Sequence, residues 1–227
     1  MPRSIEITFT CPCGASFSDT VYQAVNVTLD PRLLYRLLAG TLNVATCPNC
    51  GRKAESAQPF VYHDMRRGLF AYVSPRETVD QDEREALLAE LRKVYVLAVQ
   101  ESERVLHRRD RAEEPPRPTV RRTRPGDELA AKIEPEAPPM QVIFGVGQLA
   151  ALVDSLLEPE EKLGKVALSA RNAGAAARER LRAVAGHIAA QAQCDIMAEE
   201  DADTYTVWIY GPRARVNTLA AALGTHA

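Results

Sequence analysis

Four of the five cysteines in this 227-residue chain fall within its first 50 residues, in two compact turns, Cys11-Pro12-Cys13-Gly14 and Cys47-Pro48-Asn49-Cys50-Gly51. Cysteines one or two residues apart on a tight turn can present both thiolates to one ion. Zinc takes four such ligands in a tetrahedron, at about 2.3 Å from each sulfur. The flanking residues suit that task. Proline stiffens each turn, and the glycine after the second cysteine permits a positive φ that lets backbone N–H groups point at the thiolates. A disulfide is the rival, but it needs an oxidising compartment, and a bridge within Cys-x-Cys is strained. A redox Cys-x-x-Cys is the other rival; it stands in a strand-to-helix context and has no need of the first pair. The spacing therefore predicts a structural Zn2+ on Cys11, Cys13, Cys47 and Cys50, with disulfide or redox chemistry as the alternative. Four thiolates leave no open position of the kind a catalytic zinc keeps for water. His63 is the one nearby imidazole that could replace a ligand, against the plainer reading of a strand-end histidine bonding locally. Cys194, alone beside an apolar stretch, reads as a buried inert thiol.

The order CPCG, a gap of 33 residues between Cys13 and Cys47, CPNCG and then Tyr62-His63-Asp64 resembles the CpXC domain, a bacterial family defined by two such cysteine motifs. The resemblance covers residues 4–75. Cys11, Cys13, Cys47 and Cys50 match its defining positions, Leu33 to Leu42 looks like its intervening helix, and Tyr62-His63-Asp64 looks like its trailing strand. It implies metal binding and a fold module, without naming an activity.

Along the chain, Ile5 to Thr10 alternates apolar and polar residues as a half-buried strand does, and Phe17 to Leu29 is β-rich up to Asp30-Pro31, a helix start. Arg32 to Leu42 repeats leucine on one face. Pro59 to Tyr62 and Leu69 to Val73 read as two further strands, so residues 1–76 form a zinc-ribbon-like module of two β-hairpins with a helix inserted between the knuckles. Residues 77–111 form a long amphipathic helix, with capping-box spacing in Thr78 to Gln81, acidic Asp80, Asp82 and Glu83 at its start and His107-Arg108-Arg109 at its end. Its seam, Leu88, Leu91, Tyr95, Ala98, Ser102 and Val105, packs on its own domain or, as the other option, makes a homodimer through residues 84–106. From 112 to 140 seven of the 15 prolines accompany Arg117, Arg121, Arg122 and Arg124. Such a stretch cannot bury enough apolar area to offset its ordering entropy, and reads as a disordered linker. Residues 141–227 form a small α/β domain. Strand Val142–Phe144, helix Gln148–Leu157, strand Lys165–Ser169, helix Arg171–Gln193, a hairpin of Asp195–Ala198 with Thr204–Tyr210, and helix Val216–Leu223 resemble a ferredoxin-like sandwich. The fold class is α+β.

Function is less legible. With 28 Lys+Arg against 30 Asp+Glu the chain has no global basic surface for nucleic acid. Its apolar runs are too short to span a bilayer. The segment Met1 to Glu6 lacks a signal-peptide pattern, which points to the cytoplasm. Gly145-Val146-Gly147 lacks the third glycine of a dinucleotide loop and the Lys-Ser/Thr of a P-loop, and reads as a turn feeding a helix. On the last strand Trp208 and Tyr210 share a face, with Arg213 and Arg215 just beyond, a candidate aromatic and basic patch for a partner. No paired carboxylates and no Ser/His/Asp set appear. These features predict a non-enzymatic, zinc-stabilised adaptor or regulatory protein that binds protein partners. The alternative is a nucleic-acid-binding or transcription-associated zinc-ribbon protein, using Arg117 to Arg124, Arg213 and Arg215.

Overall fold

The computed structural model describes residues 3–75, 80–113, 139–201 and 203–224. Strand β1 (Arg3–Thr10) turns through the first cysteine pair and returns as β2 (Ser16–Asn26), an antiparallel hairpin in register from Thr10↔Ser16 to Ser4↔Tyr22. Gln23 is then skipped before Arg3 meets Ala24. That bulge brings Tyr22 onto the same core as Val25.

Helix α1 (Arg32–Leu38) starts as expected, with Asp30 Oδ1 accepting from the Arg32 N–H at 3.2 Å and Pro31 ahead of the first turn. It ends four residues short of Leu42, because Gly40 takes φ +69° and the Thr41 N–H turns back to the Arg36 carbonyl at 2.9 Å. Leu42 is still fully buried, placed by the turn and not by the helix. Two three-residue strands, β3 (Val44–Thr46) and β4 (Lys53–Glu55), then form a hairpin around the second cysteine pair. The expectation had no strands there, since three residues are too few to show alternation. The hairpin expected at Pro59–Tyr62 and Leu69–Val73 exists as β5 (Phe60–Asp64) and β6 (Leu69–Ser74), joined by a single 3-10 turn, Met65–Arg67. It belongs to the main sheet and not to the knuckles, because β5 lies parallel to the far end of β2, at Ala24 to Asn26.

Helix α2 (Gln81–Glu113), expected over 77–111, is capped by Asp80, whose Oδ1 accepts from the Glu83 N–H at 2.7 Å, while Thr78, expected to open a capping box, lies outside the described residues. Leu91, Tyr95 and Val99 are buried with Phe70, and Leu88 packs at the margin of the same cluster. The inner part of the expected seam is thus covered by the chain's own sheet. The side chains of Ala98, Ser102 and Val105 and residues 114–138 of the linker expected at 112–140 lie outside what is described; its first two residues extend α2 and Met140 opens the next strand.

The boundary expected at 141 falls inside the first sheet. Strand β7 (Met140–Phe144) pairs parallel to β6, giving a five-stranded sheet in the order β1-β2-β5-β6-β7. Helix α3 (Val146–Ser155) follows, and its Leu149 and Val153 share a core with Leu33 and Leu37 of α1. A short apolar run such as Val142-Ile143-Phe144 carries no mark of which sheet it will join.

The remaining elements are β8 (Leu163–Arg171), α4 (Ala175–Gln191), β9 (Asp195–Asp201), β10 (Thr204–Pro212) and α5 (Arg213–Ala222). The strands form an antiparallel sheet ordered β8-β10-β9. Val166, Val207 and Ile209 on one face pack under Ala185 and Ala189 of α4 and Val216 and Ala220 of α5. The element order here is the expected β-α-β-β-α, with both helices on one face of a three-stranded sheet, while the strand expected to open this domain, Val142–Phe144, pairs in the other sheet as part of β7. One end of the opposite face rests on the first core. Tyr210 is buried there among Leu33, Leu37, Leu149 and Val153, with its hydroxyl 3.0 Å from Thr41 Oγ1. Large apolar side chains buried this completely contribute about 1.5–3 kcal/mol each, so the second sheet is anchored by the same apolar cluster that holds α1.

Candidate metal centre and adjoining groove

The turn of the β1–β2 hairpin and the turn of the β3–β4 hairpin bring Cys11, Cys13, Cys47 and Cys50 together, with all four sulfurs within 4.8 Å of one another. Two close contacts run between the knuckles. Cys11 Sγ lies 3.5 Å from Cys50 Sγ, and Cys13 Sγ lies 3.7 Å from Cys47 Sγ. Four sulfurs about 2.3 Å from a central ion stand about 3.8 Å apart along each edge of the tetrahedron, close to what is seen. A disulfide would require about 2.05 Å, and all four cysteines are free thiols. The cluster can therefore hold a metal ion.

The two knuckles build their turns alike. In the first, the Cys11 N–H bonds to the Ala15 carbonyl and the Gly14 N–H to the Cys11 carbonyl, each at 2.9 Å. In the second, the Cys47 N–H bonds to the Arg52 carbonyl and the Gly51 N–H to the Cys47 carbonyl, again at 2.9 Å. Gly14 and Gly51 take φ of +87° and +71°, the backbone conformation that the sequence predicts for them. Cys11 and Cys47 are buried, at 7% and 1% exposure, while Cys13 and Cys50 face solvent.

The thiols are electrostatically unequal. The backbone N–H of Ala15 and the Asn49 side-chain amide, 3.6 Å from the sulfur, stabilise the Cys13 thiolate and pull its pKa down to about 6. At Cys11 the backbone N–H of Cys13 also lowers the pKa, but desolvation together with the surrounding thiols carries it up to about 12. Donors aimed at a sulfur are what a metal-binding knuckle needs, since the ligand is the thiolate. A set of four thiolates fills a tetrahedral ion's coordination, so the chemistry on offer is to fasten two hairpins together and not to activate water.

His63 is no part of this cluster. It sits opposite Asn26, ten residues along β2 from the knuckle, or about 30 Å at the rise of a strand. It is 3% exposed, its Nδ1 accepts from Asn26 Nδ2 at 3.2 Å, and its ring meets Phe70 and Tyr95 edge-on at centroid distances of 5.2 and 5.9 Å. Burial drives its pKa down to about 4, partly opposed by the Asp64 charge. Cys194 is buried, and desolvation raises its pKa. At the Gly-Val-Gly turn, Gln148 Oε1 accepts from the Phe144 N–H at 2.8 Å, so the polar end of that side chain closes the turn itself.

A groove of about 1870 Å³ separates the second knuckle from the uncovered face of the second sheet. Asn49, Cys50 and Lys53 of the knuckle hairpin, Arg36 and Thr41, and Trp208 of β10 all line it. The Trp208 indole N–H donates to Glu199 Oε2 at 2.9 Å. Lys53 Nζ reaches across to Glu199 Oε1 at 3.6 Å, and Arg32 Nη1 to Asp195 Oδ1 at 3.8 Å. The four residues expected to form one patch are divided. Trp208 lines the groove half-buried, Tyr210 also lines it although most of its side chain is buried in the shared core, and the exposed Arg213 and Arg215 lie on α5, outside the groove lining. Strand alternation placed Trp208 and Tyr210 on one face correctly, but not the fact that α1 covers one end of that face.

One buried ionic cluster has no counterpart in the sequence expectations. Arg67 bonds Asp64 Oδ2 at 2.7 Å through Nη1 and Glu161 Oε2 at 2.6 Å through Nη2, and Asp64 has 1% exposure. The hydrogen bond from Arg67 holds the Glu161 carboxyl below the usual range. Tyr35 adds a hydroxyl bond to the Glu161 carbonyl at 3.0 Å, so the segment after α3 is tied both to α1 and to the turn between β5 and β6. The spacing Asp64-x-x-Arg67 was the one local hint, while Glu161 arrives from 94 residues away.

Among known families, a model described as CpXC protein matches residues 9–133, a span that includes all four clustered cysteines. No curated protein and no solved structure matches the chain. Among the described residues no helix is long and apolar enough to cross a membrane.

Proposed function

Since this chain belongs to the CpXC family, we propose that it is a non-enzymatic adaptor or regulatory protein, acting in the cytoplasm, in which a structural Zn2+ on Cys11, Cys13, Cys47 and Cys50 fixes one wall of a protein-binding groove. The observation that carries this reading is the closed set of four sulfurs on two hairpin tips, one of which lines the groove together with Trp208. All-thiolate coordination selects soft, tetrahedral ions, with zinc foremost. A half-buried tryptophan in a cleft is the kind of anchor that dominates protein interfaces.

The balance of charge favours a protein over a nucleic acid as the occupant. Arg32, Arg36, Lys53, Arg178 and Arg182 line the groove, but so do Asp30, Asp195, Glu199, Glu200 and Asp201. Phosphate backbones are bound by surfaces of one sign; this lining is mixed. Affinity capture with the full chain and with Trp208→Ala, at equal zinc content, tests the reading. A partner retained by the native chain and lost by the variant supports it. Equal recovery by both, or binding of oligonucleotides at low salt through this groove, overturns it.

A further inference from the structure

The geometry points to β1 as a self-association edge: a second copy of this chain adds its own β1 antiparallel to the first, with the two-fold axis at Ile7, joining two five-stranded sheets into one.

Strand β1 stands at the end of the sheet, beyond β2. Among the described residues the β1–β2 ribbon has no third strand along most of its length, since β5 meets β2 only at Ala24 to Asn26. Beyond Arg3 and the bulge beside it, the edge is also undefended. Natural edge strands are blunted by lysine, proline, a bulge or a charge on the inward face. From Ser4 to Thr10, β1 has no lysine and no proline, pairs without interruption, and carries its one charge, Glu6, on the exposed polar face. On the other face Ile5, Ile7 and Phe9 are half-buried, with Phe9 stacked on Phe17 at 5.7 Å. None of these four belongs to any of the three core clusters.

The sequence of the strand selects both the partner and the register. When an antiparallel strand pairs with its own copy, opposed residue numbers have a constant sum, and an even sum keeps the apolar faces together. Centring on Glu6 sets that carboxylate against its own copy. Centring on Ile5 or Thr8 shortens the ladder. Centring on Ile7 opposes Ile7 to Ile7, Ile5 to Phe9, Glu6 to Thr8 and Ser4 to Thr10. That register is long, places no like charges opposite each other, and sets the apolar side chains of the two copies in cross-strand contact, which is the unit of sheet stabilisation.

Sedimentation equilibrium on the full-length, metal-loaded chain tests the proposal. The native 25.0 kDa chain is expected to associate reversibly to twice that mass. Ile7→Lys opposes two lysines at the axis and is expected to be monomeric, with its metal content and circular dichroism retained. Thr8→Lys provides the opposite test. It faces Glu6 of the second copy twice per dimer, and two such pairs tighten association by about 2- to 30-fold. A native chain that stays monomeric, a dimer that survives Ile7→Lys, as one built through residues 84–106 would, or no tightening by Thr8→Lys, overturns the proposal.

Discussion

Acid should weaken this fold in part through His63. The imidazole is 3% exposed between Phe70 and Tyr95, under helix α2, and burial holds its pKa at about 4 against an ordinary 6.5. Between those values the unfolded chain takes up a proton that the native chain refuses. Stability therefore falls as pH drops below 7, and the loss from this group levels off below pH 4. Linkage with these two values gives a loss of about 2 kcal/mol by pH 5 and about 3 kcal/mol by pH 4. Urea unfolding across that range, on the native chain and on His63→Gln, measures it. Thiolates also protonate in acid, so the relevant quantity is the difference between the two proteins, with metal content followed in both. Glutamine can accept from Asn26 as Nδ1 does but does not titrate, so its pH profile should be flatter by the stated amount. Parallel profiles, or a His63 ring that titrates by NMR at its ordinary pKa, would refute the reasoning.

Elemental analysis of reduced protein purified without chelator should find about one zinc per chain. Cys47→Ser, at a sulfur with 1% exposure, should lose both the metal and the structure of the knuckle hairpins, since metal binding and folding are coupled; metal-free native protein would contradict this. Arg67→Met leaves the buried Asp64 carboxylate without its guanidinium partner and should cost about 3–5 kcal/mol in denaturant unfolding, with a near-neutral effect counting against a structural role for the cluster. Gly164→Ala puts a Cβ 2.9 Å from both the Arg213 Cα and the Val216 Cβ. It should lower stability by about 1–3 kcal/mol, visible as a fall in the thermal midpoint; no change would mean that α5 shifts freely.

The knuckles were legible because their chemistry is local. Proline, glycine and paired cysteines within five residues state a turn and a ligand set together, and Gly14 and Gly51 adopt the backbone expected of them. The α1 start at Asp30-Pro31 and the long α2 were legible for the same reason. What escaped was pairing. Val44–Thr46 and Lys53–Glu55 become strands only because the second knuckle folds them together. Trp208 and Tyr210 share a face of β10 and both line the groove, yet Trp208 is half-exposed while Tyr210 is buried with its hydroxyl against Thr41.

Read alone, the sequence determined that two cysteine turns converge on one cluster that can hold a metal ion, that the chain is α+β, and that strands, helix starts and leucine faces fall close to where they are found. Tertiary structure decided which pieces share a core. It drew Met140–Phe144 into the first sheet beside β6, set Tyr210 into the cluster around α1, and closed Arg67 between Asp64 and Glu161. The division has a physical cause. Turns, caps and ligand spacing are set by interactions a few residues long, whereas strand partners and shared cores are chosen by burial among segments far apart in the chain, which periodicity does not encode.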